Sequence, residues 1–353
     1  MQAIISAYLE GAVKNQVFPG CVLAYGHPAK GEVTYLWAGL RGLSRSRFPV
    51  SPDLVYDLAS LTKILSTTFL IMLAVDQGQI ELDWKLTKFA WPVPDNLKGL
   101  KVSDLLTHQS GLPAWRPYYL NKELQNRDKF IETILNEPKV SNIGEKTLYS
   151  DLNFLLLGFI LETIFGQSLK DLFAEKIAQP LGLLVTGYVP KPWLWPVAPT
   201  EDGPRLGGPL DYPGLKILGP VPLGRVHDDN SAFLSGQAGH AGLFGSIKEV
   251  WLVLQNWAKS LSQAPEALVR GQTMSAFLAP RKAPSGPLRA MGFDLGLGPL
   301  RGSRGHLGYT GGSLWWDPDL DRALVLLTNR VHPTARNSQM EEFRKGLAQL
   351  LWG

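Results

Sequence analysis

The fifteen residues from Leu61 to Val75 (LTKILSTTFLIMLAV) are apolar almost all round a helical wheel, and this run limits the fold more than any other stretch. A helix with almost no polar face has to be enclosed on every side, so the chain must build layers around it. Gly78 supplies its stop signal. At its start stand Ser60-Leu61-Thr62-Lys63. Spacing of i and i+3 puts the hydroxyl and the amine on one face, and the helix N-terminus adds free N–H groups and the positive end of its dipole beside the serine. A serine attacks a carbonyl only when a neighbouring base takes its proton, and a lysine assists when burial or neighbours adjust its pKa. The same four residues also fit a plain N-cap with a first-turn surface lysine, so the pattern alone does not decide.

With 353 residues and 45% hydrophobic content, the chain can bury a large core, and its length suggests two structural units. The net charge of +4 is small and no basic run reaches five, so nucleic acid is not an expected partner. No stretch of 18 uncharged apolar residues exists, and the N-terminus lacks a basic region followed by an apolar run and a cleavage site. No membrane partner is expected, and the chain as written reads as cytoplasmic, although one whose leader had been removed would read the same. The single Cys21 excludes an intramolecular disulfide.

Ile4, Ile5, Tyr8, Leu9, Ala12 and Val13 recur at helical spacing and predict a first amphipathic helix ending before Phe18-Pro19-Gly20. Cys21 to Tyr25 and Val33 to Ala38 predict a β-hairpin around a turn at Gly26 to Gly31. Helical patterns then dominate, at Asp104–His108, Lys129–Leu135, Leu152–Phe165 and Glu249–Ser260. Between Val189 and Pro222, nine prolines and five glycines predict a long loop, in which Trp193 and Trp195 either wall a pocket or pin the loop down. Gly292 to Leu297, Gly312 to Trp316 and Ala323 to Thr328 read as strands, and Ser338 to Leu351 as a closing helix. The expected fold is α/β (α+β): an antiparallel sheet flanked by N- and C-terminal helices, built from residues 1–81 and 262–353. An inserted, mainly helical domain spans 82–261.

Tyr149-Ser150-Asp151 stands before the apolar helix at Leu152, and His306-Leu307-Gly308-Tyr309 precedes the strand at Gly312. The order of a helix-starting S-x-x-K, a Tyr-Ser-Asp and a late His-x-Gly resembles the serine β-lactamase and penicillin-binding protein superfamily, most of all its class C-like branch. LLTHQSGLP (105–113), GQAGHAGLFG (236–245), GYTGGSLWWDP (308–318) and LLTNRVHP (326–333) agree with that branch. The resemblance implies that Ser60 is the acylated nucleophile, Lys63 its partner and Tyr149 the general base and then acid. It further implies an oxyanion hole from the N–H groups of Ser60 and Tyr309. A phenol becomes a base near neutrality only if adjacent positive charge favours the phenolate, and Lys63 is expected to supply it.

Three departures from the β-lactamase pattern bear on substrate. Asp151 ends the second motif where Asn is usual; ionised, it would hold Lys63 as an ammonium and repel substrate carboxylates, or else it caps the Leu152 helix. His306 replaces the usual Lys of the third motif, which removes a fixed cation. Trp115 stands where class C enzymes carry an amide-holding Gln, or else is a stacked core residue.

His227-Asp228-Asp229 and His240 lack metal-ligand spacing and read as loop residues, so no metal or cofactor is expected. His108 reads as a structural hydrogen-bonder, and the absence of G-x-S-x-G argues against an α/β-hydrolase. The leading expectation is a serine hydrolase of small ester or amide substrates. A D-stereospecific peptidase or β-lactamase of the same superfamily is the alternative, and a catalytically idle binding relative the second.

Overall fold

The structure, a computed structural model, describes all residues except 44–46, 193, 210–211, 297–301 and 353. Both ends of the chain meet in one antiparallel sheet. Its strands are β1 (Gly20–His27), β2 (Glu32–Gly39), β3 (Asp294–Leu295), β4 (Arg304–Leu307), β5 (Ser313–Asp317) and β6 (Arg322–Thr328). They lie in the order β2-β1-β6-β5-β4-β3. Cys21 stands opposite Thr328 and Leu314 opposite His306, so the first hairpin and the late strands share one register.

The period-two alternation decides what covers each face. Cys21, Leu23, Trp315, Leu324 and Leu326 pack with Ile5 and Leu9 of α1 (Gln2–Lys14) and with Phe343 and Leu347 of the C-terminal helix Met340–Trp352. Val22, Ala24, Leu314, Trp316, Val325 and Leu327 point the other way, into a core that continues without a break into the helical part. Fully burying one such side chain is worth about 1.5–3 kcal/mol, so both layers are needed.

The apolar run is enclosed as its composition requires, but it is not one regular helix. A 3₁₀ turn at Ala59–Leu61 leads into a wide π turn over Lys63–Thr68 and then into α2 (Phe69–Asp76). By length and composition Ala59–Asp76 could cross a membrane, yet 83% of it is buried inside the protein. Helix α5 (Asp151–Phe165) packs against its π turn, α3 (Val102–Leu106) and α4 (Arg127–Leu135) pack on α5, and Gly166, with φ +65°, ends α5 in the left-handed region. Helix α6 (Ile247–Leu261), grouped with the inserted segment on sequence, packs against β1 and β6 and against α7 (Gly271–Leu278). The C-terminal helix is α8.

The strand expected at 292–297 is only Asp294–Leu295, and Leu297 lies outside the described residues. The Pro/Gly-rich segment carries a two-residue hairpin, Arg205–Leu206 with Ile217–Leu218. Trp193 lies outside the described residues, and Trp195 is exposed and does not line the cleft described below.

Candidate active site

Six segments converge at one cleft: the turn before α2, Ala114 and Trp115, the start of α5, the stretch from Arg205 to Pro209, the stretch from His227 to Ala241 and the β4–β5 turn. Asp57 ties three of them together. Its carboxylate accepts from the N–H of Ala59 (2.9 Å) and of His227 (2.7 Å), and its carbonyl accepts from Thr310 Oγ1 (2.7 Å). Ala59, directly before Ser60, is held at φ +46°, a conformation that costs a non-glycine residue about 1–3 kcal/mol.

Lys63 has a side chain with no exposure at all. Its Nζ donates to Ser60 Oγ at 3.0 Å and to the His240 carbonyl at 3.0 Å, and pairs with Asp151 Oδ1 at 2.8 Å. Two hydrogen bonds and one ion pair thus surround the ammonium. Burial works to lower the Lys63 pKa, but Asp151 and then Tyr149 outweigh it, so the amine stays charged. Asp151 is therefore more than a first-turn acid of α5: the N-cap position falls on Ser150, and the carboxylate serves Lys63.

Tyr149 OH lies 2.8 Å from Ser60 Oγ, and the Lys63 ammonium stands 4.9 Å from its ring centroid. Complete burial nevertheless pushes the phenol up to about 12, with Lys63 pulling down and Asp151 pushing up. The expectation that Lys63 makes Tyr149 a base near neutrality is thus corrected: burial outweighs the ammonium, and Asp151 adds to the upward shift.

Tyr309 and Trp115 both line the cleft. Trp115 packs edge-on to Tyr212 (centroids 5.0 Å apart), and a Cβ on Gly208 would lie 2.4 Å from its indole, so only glycine fits beneath it. His306 is placed differently from the expectation. It is 2% exposed, behind Tyr149 (ring centroids 5.7 Å apart), and is not part of the cleft wall. Burial lowers it to about 4, so the imidazole is neutral, and its Nδ1 lies 2.7 Å from the Leu307 carbonyl. His108 accepts from the Ser150 N–H through Nδ1 at 3.0 Å and packs on the Tyr149 ring, 4.8 Å between centroids.

The cleft, about 290 Å³, is also walled by residues that sequence reading set aside. His227 stacks on Tyr309 at 5.4 Å, and His240 Nε2 lies 2.8 Å from Asp228 Oδ1. Burial works against the Asp228 carboxylate, but His240, the Ser231 N–H and Lys63 hold it at about 2. Arg205 binds Asp229 through both terminal nitrogens, at 2.6 and 2.7 Å. It is the one arginine or lysine on the wall among the described residues, facing Asp151, Asp228 and Asp229. Arg304 and Arg330 do not line the cleft: the former bonds the carbonyls of Leu278 and Gly302, and the latter, 4.8 Å over the Tyr309 ring, bonds those of Tyr309, Ala335 and Asn337. Ligand-type atoms of Asp151, Asp228 and His240 come within 4.8 Å of one another, as in a metal site, but the Lys63 ammonium already stands at Asp151 and a dication would face it.

This fold agrees with that of known proteins to which the chain is similar. The sequence profile of the Beta-lactamase family matches residues 5–349, and the chain belongs to that family of hydrolases. Among its relatives, a putative D-alanyl-D-alanine carboxypeptidase of Escherichia coli K12 is 30% identical over 315 residues, covering 81% of this chain and 71% of that one. The N-acetylmuramyl-L-alanine amidase of Bacillus subtilis 168 is 29% identical over 361 aligned positions, covering 93% and 79%. The solved structure of EstCE1, titled a hydrolase with promiscuous acyltransferase activity, superposes with a TM-score of 0.75 at 20% identity, covering 100% of this chain and 98% of that one.

Proposed function

We propose that the protein hydrolyses ester or amide bonds of small acyl compounds through an acyl-enzyme on Ser60. The observation that carries this reading is Ser60 Oγ held between Lys63 Nζ at 3.0 Å and Tyr149 OH at 2.8 Å on the wall of a cleft. Tyr149 in its deprotonated form takes the Ser60 proton as Oγ bonds to the acyl carbon, and hands that proton to the leaving alkoxide or amine. Water then reverses the sequence. Lys63 stays charged throughout and favours the phenolate. The N–H groups of Ser60 and Tyr309 receive the developing oxyanion; among the described residues, Tyr309 N–H, in the β4–β5 turn, donates to no backbone carbonyl, and Ser60 N–H to none outside its 3₁₀ turn.

The cleft's charges favour acyl groups without a carboxylate. A carboxylate entering it meets Asp151 and Asp228, while Arg205 is committed to Asp229. Leaving such a charge unpaired costs several kcal/mol, and each 1.4 kcal/mol is about tenfold in kcat/KM. A D-peptidase is the second reading, favoured by the name of the E. coli relative, whereas the B. subtilis relative is named an amidase. The test is kcat/KM on one preparation for p-nitrophenyl butyrate, an acetylated Lys-D-Ala-D-Ala peptide and benzylpenicillin. The neutral ester is expected to lead benzylpenicillin by about two to three orders of magnitude. A peptide faster than the ester favours the second reading, and penicillin at or above the ester rate overturns the ranking.

A further inference from the structure

On the outer face of the sheet, between α8 and strands β4 to β6, runs a groove of about 790 Å³ that shares no residue with the cleft. Leu307, Trp315, Leu324 and Leu326 line it from the strands, Leu347 and Trp352 from the helix. Ser313, Glu341, Arg344, Lys345 and Gln349 also line it, and two of these, Arg344 and Ser313, are under-used. Arg344 donates through Nη2 to the carbonyls of Gly311 and Gly312 at 2.8 Å each, which occupies one of its three nitrogens. Its Nε is enclosed without an acceptor, and among the described residues no carboxylate pairs with it. Ser313 is 1% exposed, and its Oγ has no partner either.

Buried polar groups are nearly always satisfied, and a buried cation is nearly always paired. The neighbouring charges do not meet that need. Glu341 on the rim is committed to Lys345 at 2.7 Å, which leaves the rim neutral. Burial first, and then the like charge of Arg330, pulls the guanidinium down to about 10. Among the described residues, Arg344 is therefore the one cation lining the groove without a carboxylate partner, and it stands beside the apolar strand side chains.

We propose that this groove is a second binding site, separate from the cleft, for a carboxylate bearing an unbranched apolar tail. The head group supplies the counter-charge to Arg344 beside Ser313, and the tail lies along Trp315 and Trp352. A guanidinium present only to hold the Gly311 and Gly312 carbonyls would have no preference between an acid and an alcohol of the same length.

The test uses the whole protein and two probes below their micellar concentrations, 11-bromoundecanoate and 11-bromoundecanol, whose bromine quenches tryptophan on contact. The acid is expected to quench saturably and to bind about tenfold or more tighter than the alcohol, the scale of a charge-assisted pair. Arg344→Gln should bring the acid to the alcohol's affinity. Ala348→Glu, one turn along α8 from Arg344, should do the same by occupying the guanidinium, and it decides the matter if the first variant does not fold. Trp315→Phe with Trp352→Phe should remove the quenching. Equal binding of acid and alcohol, an acid preference that survives in a folded variant, no quenching at all, or quenching that persists in the double Phe variant each overturn the proposal.

Discussion

Replacing Asp151 with Asn tests the electrostatics of the cleft at its centre. The carboxylate lies 2.8 Å from a Lys63 that has no exposure, and is itself 16% exposed. It raises both Lys63 and Tyr149. Two unit charges about 4 Å apart at an effective dielectric near 20 interact by about 4 kcal/mol, and one pH unit corresponds to about 1.4 kcal/mol. Solvent at Asp151 and relaxation of the site reduce that ceiling, so the pH–rate limb should move by about one to two units. The sign does not depend on which group takes the proton. Loss of the negative charge makes the Lys63 ammonium less favourable and the Tyr149 phenolate more so, and both changes carry the rising limb to lower pH. An ammonium left unpaired in the interior should also cost stability, on the order of 3 kcal/mol. The assay is the burst of p-nitrophenol during acylation, followed from pH 6 to 10 at constant ionic strength, with urea unfolding of the same protein beside it. A limb that stays in place, or moves to higher pH, refutes the reasoning.

His306→Lys should also move the limb to lower pH, because a cation behind the Tyr149 ring favours the phenolate; an unchanged limb in a folded variant removes His306 from the electrostatic account. The wild-type histidine makes a separate prediction about stability. Its folded pKa of about 4 is depressed below the ordinary 6.5, so the stability it contributes is present above pH 6.5 and is lost as pH falls through 4. That gap is worth on the order of 3 kcal/mol, so the urea midpoint of the wild type should fall more steeply between pH 7 and 4 than that of His306→Gln. Activity should survive exhaustive chelation, since Lys63 already stands at Asp151 beside Asp228 and His240; a loss restored by zinc would make that cluster a metal site.

What the sequence made legible is what local spacing controls. The i, i+3 relation of Ser60 and Lys63 is set by a single turn, and it survives although that turn is 3₁₀ leading into a π stretch. Helical period located the two terminal helices, each of which buries one stripe, and short runs of β-forming residues located β1, β2, β5 and β6, of which β1, β5 and β6 are buried on both faces. Tyr149 came from motif order, since no local rule links residues 89 apart. His227, Asp228 and His240 were set aside because they match no ligand spacing, yet loop geometry brings them to the cleft wall. The protonation of Tyr149 was misread for a related reason: sequence shows the neighbouring lysine but not the burial that outweighs it. Arg289, 5.5 Å from the centre of the Tyr149 ring and paired with Asp294, gave no signal in advance.

The most direct test of the central claim is the intact mass of the protein after incubation with a fluorophosphonate, followed by peptide mapping, for the wild type and for Ser60→Ala. One phosphonyl adduct on Ser60 is expected in the wild type and none in the variant, whose kcat on a p-nitrophenyl ester should fall on the order of 10⁶ where the three groups act as a unit. An adduct on any other serine, or labelling and turnover that persist in Ser60→Ala, would contradict the account.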